Sequence, residues 1–204
     1  MAKGSYPPEG SGLDVATSRR LARIHRQLGR FQARQSLVRI LRGSFPKTDG
    51  IVVARSRWFV VIQPRSEEMN LNGWEVLRTL DIKEVEYSER QNRFWRRVLR
   101  ARGQKPSRPT GLELDDWESI LRSANQNHPL VMISRERTSP RTCDVGQVLG
   151  ISAHTLTLRP VTPIGRWLSS PWRCRLASIT CVRFGCGYLD ALTLALGARP
   201  LPRK

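Results

Sequence analysis

Residues 74–87 read WEVLRTLDIKEVEY, and residues 172–184 read WRCRLASITCVRF. Each begins on a tryptophan and carries the run Arg-x-x-x-Ile-x-x-Val-x-aromatic. In the first the run is Arg78, Ile82, Val85 and Tyr87; in the second it is Arg175, Ile179, Val182 and Phe184. Short blocks rich in β-branched and aromatic residues form strands. Each stretch therefore reads as strand, tight turn, strand: 74–79 then 82–87, and 172–176 then 179–184.

The pattern extends upstream in the same order. Leu21, Ile24, Leu28 and Phe31 recur at spacings of three and four and predict an amphipathic helix from Thr17, capped by Thr17 or Ser18. Strand blocks follow at 36–41, 50–55 and 58–64, and an Arg-rich helical stretch carrying Phe94, Trp95, Val98 and Leu99 closes the first half. After RGQKPSRPTG at 102–111, a Pro/Gly-rich break, the order repeats. A helix carrying Trp117, Ile120 and Leu121 is predicted behind an Asp115 cap. Strands follow at 130–135, 145–151 and 154–161, and an apolar helix at 188–196 comes after the last two strands. Val52 falls on Val148, Ile62 on Leu158 and Pro64 on Pro160, with the offset drifting only from 93 to 97. Two modules in tandem are expected: an arm at 1–16, a first module at 17–101, a linker at 102–111, a second module at 112–197 and a tail at 198–204.

A helix followed by five short strands, with this run between the fourth and fifth, resembles the Sm-like fold, a small barrel close to the SH3 class. The chain resembles uncharacterised bacterial proteins in which two such barrels follow one another. The resemblance implies a mainly β fold with flanking helices, built as two tandem Sm-like barrels. The loop motifs that contact RNA in the Sm and Hfq families are absent. Glu68-Met69-Asn70 is only a fragment of one, so the resemblance assigns no RNA-contact residue.

The 204 residues carry 35 Lys and Arg against 17 Asp and Glu, a net charge of +18. Such an excess favours polyanionic partners, although GC-rich codon usage also raises arginine content. The charge is unevenly placed. Residues 16–43 contain many arginines and no acid, as do residues 90–109, whereas residues 44–89 and 110–127 are net negative. Like charges three and four apart destabilise a helix, a cost that a bound anion offsets. The candidate phosphate contacts are Arg19, Arg20, Arg23, Arg26, Arg30 and Arg34 on the first helix. Arg93, Arg96, Arg97 and Arg100 follow on the second, with Arg102 and Lys105 beyond it. A solvated helix face is the alternative reading. Trp58 and Trp95 stand beside arginines and are placed either to stack on bases or to fill the core.

Catalytic chemistry finds no support. No nucleophile elbow, metalloprotease helix or phosphate loop is present. The three histidines and four cysteines show no metal-ligand spacing, and no cofactor is expected. Buried, reduced thiols are expected instead. No run of apolar residues is long enough to span a bilayer, and a cytoplasmic location is expected. The sequence thus points to a non-enzymatic nucleic-acid binder, RNA favoured. The alternative is a protein-interaction or assembly module using SH3-like barrel edges. Membrane-surface binding by the basic helix is a weaker third reading, because its apolar face is narrow.

Overall fold

The computed structural model describes residues 12–152 and 154–197. The chain divides between Arg108 and Pro109 into two compact units. The first contains α1 (Val15–Ala33), β1 (Leu37–Arg42), β2 (Phe45–Arg55), β3 (Phe59–Pro64), β4 (Trp74–Arg78), β5 (Glu84–Tyr87) and α2 (Glu89–Ala101). The second contains α3 (Trp117–Asn127), β6 (Val131–Ser134), β7 (Cys143–Ile151), β8 (Thr155–Pro160), β9 (Trp172–Arg175), β10 (Cys181–Phe184) and α4 (Gly187–Ala195). The fold is mainly β with four helices among the described residues.

In the first unit the strands pair antiparallel in the order β5-β1-β2-β3-β4. In the second the order is β10-β6-β7-β8-β9, again antiparallel. The registers correspond. Val38 lies opposite Gly50 and Gly50 opposite Pro64; Val131 lies opposite Gly146 and Gly146 opposite Pro160. A bulge interrupts β2 between Val52 and Ala54, and β7 between Val148 and Gly150.

The closed barrels anticipated from the sequence are corrected to open sheets. Among the described residues no pairing joins β4 to β5, or β9 to β10. A 3-10 turn stands where a ladder would close each ring, at Thr79–Asp81 and at Leu176–Ser178. Each turn is tied at both ends. The Thr79 N–H donates to the Trp58 carbonyl ahead of β3, and the Lys83 N–H donates to the Leu41 carbonyl on β1. Leu176 and Thr180 make the same bonds to His154 and Ser134.

Two glycines let the long second strand of each unit approach the third closely. A Cβ on Gly50 would lie 2.5 Å from the Gln63 carbonyl oxygen, and one on Gly146 would lie 2.4 Å from that of Arg159. Glycine in a strand marks such a close backbone approach. β2 begins at Phe45 rather than at 50, because Gly43-Ser44 makes a two-residue hairpin with Gly43 at positive φ. Phe45-Pro46 thus lies in the strand. Helix α1 starts at Val15, two residues earlier than expected. Its cap is Asp14, which accepts from the Thr17 N–H at 2.8 Å. On α3 the cap is Asp116, in a reciprocal box with Ser119. Residues 1–11 of the expected arm and the 198–204 tail lie outside the described residues.

β1 alternates buried and part-buried residues, whereas β3 and β4 are buried almost throughout. Val60, Val61, Ile62, Val76 and Leu77 are fully buried, as are Leu156, Leu158 and Val182. Helix α1 buries Leu21, Ile24 and Leu28 while packing on β2, β5 and the 3-10 turn. Helix α2 sets Trp95 and Leu99 against Ile51, Leu37 and Val53. Helix α4 sets Leu189 and Leu192 against Leu130, Val145 and Val161. The segment expected as a free linker is partly bound to the first unit. Gln104 accepts from the Leu71 N–H at 3.0 Å, and the Ser107 N–H donates to the Gln63 side chain at 2.9 Å.

Gly50→Ala and Gly146→Ala should each lower stability by about 1–3 kcal/mol, the cost of forced overpacking. Gly150→Ala meets nothing within 4 Å and should change stability by less than about 0.5 kcal/mol. Urea denaturation of the three variants measures the contrast.

Candidate nucleic-acid interface

Helix α2 begins where Ser88 accepts from the Gln91 N–H. Asn92 fastens it to the sheet. Its side chain accepts from the Leu37 N–H at 2.8 Å and donates to the Leu37 carbonyl at 2.8 Å, completing the outer backbone groups of β1. Asn92, Trp95 and Leu99 form the buried face. Arg90, Arg93, Arg97 and Arg100, at spacings of three and four, therefore point outward and are exposed. Together with Arg96 and Phe94 they line an open trough of about 930 Å³, and no acidic side chain contributes to its wall.

The predicted arginines divide by role. Arg20 donates to the Leu80 carbonyl and Arg23 to the Lys83 carbonyl, so both clamp α1 to the turn before β5. Arg96 reaches the Arg34 carbonyl at 3.3 Å and brings α2 to the C-terminal end of α1. Arg102 bonds the Asn70 side chain. Arg19, Arg26, Arg30 and Arg34 are exposed, as are Arg93, Arg97, Arg100 and Lys105, and no hydrogen bond from these side chains is found among the described residues. Arg90 was not predicted, although it stands on the same helical stripe as Arg93 and Arg97, and the stripe is the signal that finds it.

Beside the trough, under α2, lies a second cavity of about 450 Å³. Leu37, Met69 and the buried Trp95 line it, with Tyr87 and Phe94 at 38% and 46% exposure. Its charged lining is Arg39, Asp49, Arg65 and Glu86. Asp49 accepts two bonds from Arg39, at 2.7 and 2.9 Å, and one from Arg65 at 3.4 Å. The Arg39 hydrogen bonds hold the Asp49 carboxyl below its usual range despite its burial. Tyr87 stacks on Phe31, centroids 5.2 Å apart, and its hydroxyl donates to Glu89. The sequence does not show this cavity, because its walls come from β1, β2, the loop after β3, β5 and α2.

The aromatic expectations resolve differently. Trp95 is core, 2% exposed. Trp58 carries the Arg57 guanidinium over its ring at 4.6 Å. Burial pushes the His25 and His128 imidazoles down, so neither adds to the positive surface at neutral pH. Cys174, Cys181 and Cys186 are buried, but Cys143 is exposed, contrary to expectation. Burial pushes the Cys174 thiol up to about 11, away from the reactive thiolate. Among the described residues no three His, Cys, Asp or Glu side chains gather as a metal site, and no helix is long and apolar enough to cross a membrane.

Comparison with protein-family models, with curated proteins and with solved structures returns no match.

Two outcomes test this geometry. Asn92→Ala leaves both Leu37 backbone groups without their partner and should cost about 2 kcal/mol, read by thermal unfolding. Asp49 titrates lower in the folded chain than in the unfolded one, so its ion pairs stabilise the fold at neutral pH. That contribution fades as the pH falls below the ordinary carboxylate value of 3.8 toward the folded value. The stability gap between wild type and Asp49→Asn should therefore be widest above about pH 5 and narrow in acid.

Proposed function

We propose that the protein is a non-enzymatic nucleic-acid binder, RNA favoured, that contacts phosphates through the arginine faces of α1 and α2. The observation that carries this reading is the acid-free trough on α2. Four exposed guanidinium groups share one stripe there, and the buried face fixes which way they point. Arginine donates to phosphate in a forked geometry, and neutralised phosphates release counterions. Such contacts position a nucleic acid without reading its sequence.

The scaffold we infer is a pair of Sm-like modules, and the strand order supports it. β4 and β5 stand at opposite ends of the pairing order, which in a flat sheet would separate them by about 19 Å. Only residues 79–83 join them, and three of these form a compact 3-10 turn. A sheet so connected must coil strongly on itself, as a barrel does without its last ladder.

The protein-partner alternative draws on a separate observation. Ile164 and Leu194 are exposed by 74% and 82% in the second unit, near where Gly165 approaches Ala195. A protein partner retained through nuclease treatment and high salt would favour that reading.

Replacing Arg93, Arg97 and Arg100 by Gln should weaken binding to RNA of any sequence. The slope of log affinity against log salt should fall by about 2–3. Filter binding across a salt series measures both effects, and a wild-type affinity that stays flat as salt rises would overturn the proposal.

A further inference from the structure

We propose that the cavity under α2 receives an unstacked nucleobase, so that the protein prefers single-stranded nucleic acid to duplex. This rests on the phosphate-binding reading of the neighbouring trough.

Three observations carry it. First, the two sites are continuous: Ser88, Gln91 and Phe94 line both. A strand whose phosphates follow the arginine stripe has its bases within reach of the cavity. Second, the charges differ in kind. The trough wall is basic throughout, whereas the cavity sets Arg39 and Arg65 against Asp49 and Glu86. A balanced, hydrogen-bonding wall suits a neutral polar ring and not a phosphate. Its volume lies within the roughly 300–1,000 Å³ usual for small-ligand sites. Third, the rings are placed for stacking. Tyr87 and Phe94 are half exposed at the cavity, and Tyr87 is backed by Phe31. Bases in a duplex are already stacked and paired; those of a single strand are available to aromatic side chains.

The test is fluorescence anisotropy of the full chain with a short single-stranded RNA and with the same sequence as a duplex. Wild type should bind the single strand more tightly. Tyr87→Leu, whose site lies outside the trough, should weaken single-strand binding by about tenfold and leave duplex binding unchanged. Tyr87→Phe should restore the loss. Adenosine monophosphate should compete with the single strand on wild type, a measurement independent of whether the variants fold. Equal affinity for strand and duplex, or Tyr87→Leu acting on neither or on both alike, overturns the pocket and leaves the phosphate reading standing. Competition by N-acetyltryptophanamide but not by the nucleotide reassigns the cavity to a protein partner and also overturns the proposal. If the Arg93, Arg97 and Arg100 replacements leave both nucleic acids bound as before, it is the trough reading that fails.

Discussion

At Gly50 the backbone of β2 runs so close to β3 that no side chain fits between them. That contact organises a row across the first sheet. Tyr87 on β5 lies opposite Val38 on β1, Val38 opposite Gly50, and Gly50 opposite Pro64. Pro64 has no N–H to extend a ladder, and β3 ends there. The second unit repeats the row as Phe184, Val131, Gly146 and Pro160. Around the glycine the long strand passes from pairing with one neighbour to pairing with the other. The aromatic at the far end of the row is thereby placed on β5 or β10. In the first unit that aromatic is Tyr87, so the constraint that shapes the sheet also positions one wall of the candidate base pocket.

The two units share this frame and fill it differently. The turn after β4 buries the ion pair of Arg78 and Asp81, at 2.8 Å with side chains 1% and 2% exposed. Glu75 is buried nearby and accepts from Thr48. In the second unit Arg175 is exposed, and Ser178 stands where Asp81 would, its hydroxyl donating to the Arg175 carbonyl. A buried ion pair adds little net stability over an apolar replacement, yet is costly to break singly. The difference is thus tolerated by the fold. The helices after the last strands differ more. α2 is an arginine stripe over a narrow apolar face, while α4 is a largely apolar segment with no arginine or lysine.

Much of the frame was legible because it is local. Short blocks rich in β-branched and aromatic residues marked the ten strands, and the run from Arg78 to Tyr87 marked the turn that ties β4 to β5. What was missed depends on partners distant in sequence. Nothing near Arg20 and Arg23 tells that their guanidinium groups will find the carbonyls of Leu80 and Lys83, sixty residues on. From the sequence they are indistinguishable from Arg26 and Arg30. Trp95 and Phe94 are adjacent, and only the rotation of α2, fixed by Asn92 on Leu37, makes the first core and the second surface. The open sheet was missed for a similar reason. Closure depends on whether the last ladder forms, and a 3-10 turn took its place.

The same rotation explains how an acid-free basic stripe persists. Thirteen residues are too few for a stable isolated helix, and like charges three and four apart weaken it further. The opposite face supplies what the sequence of the stripe lacks: Trp95 and Leu99 enter the core, and Asn92 takes the place of a neighbouring strand for Leu37. Docking thus fixes the helix backbone from which the arginines project, so in the proposed complex the helix does not have to form on binding. On the proposed reading, an anion bound to the outer face of α2 would relieve the like-charge repulsion that docking on the core offsets.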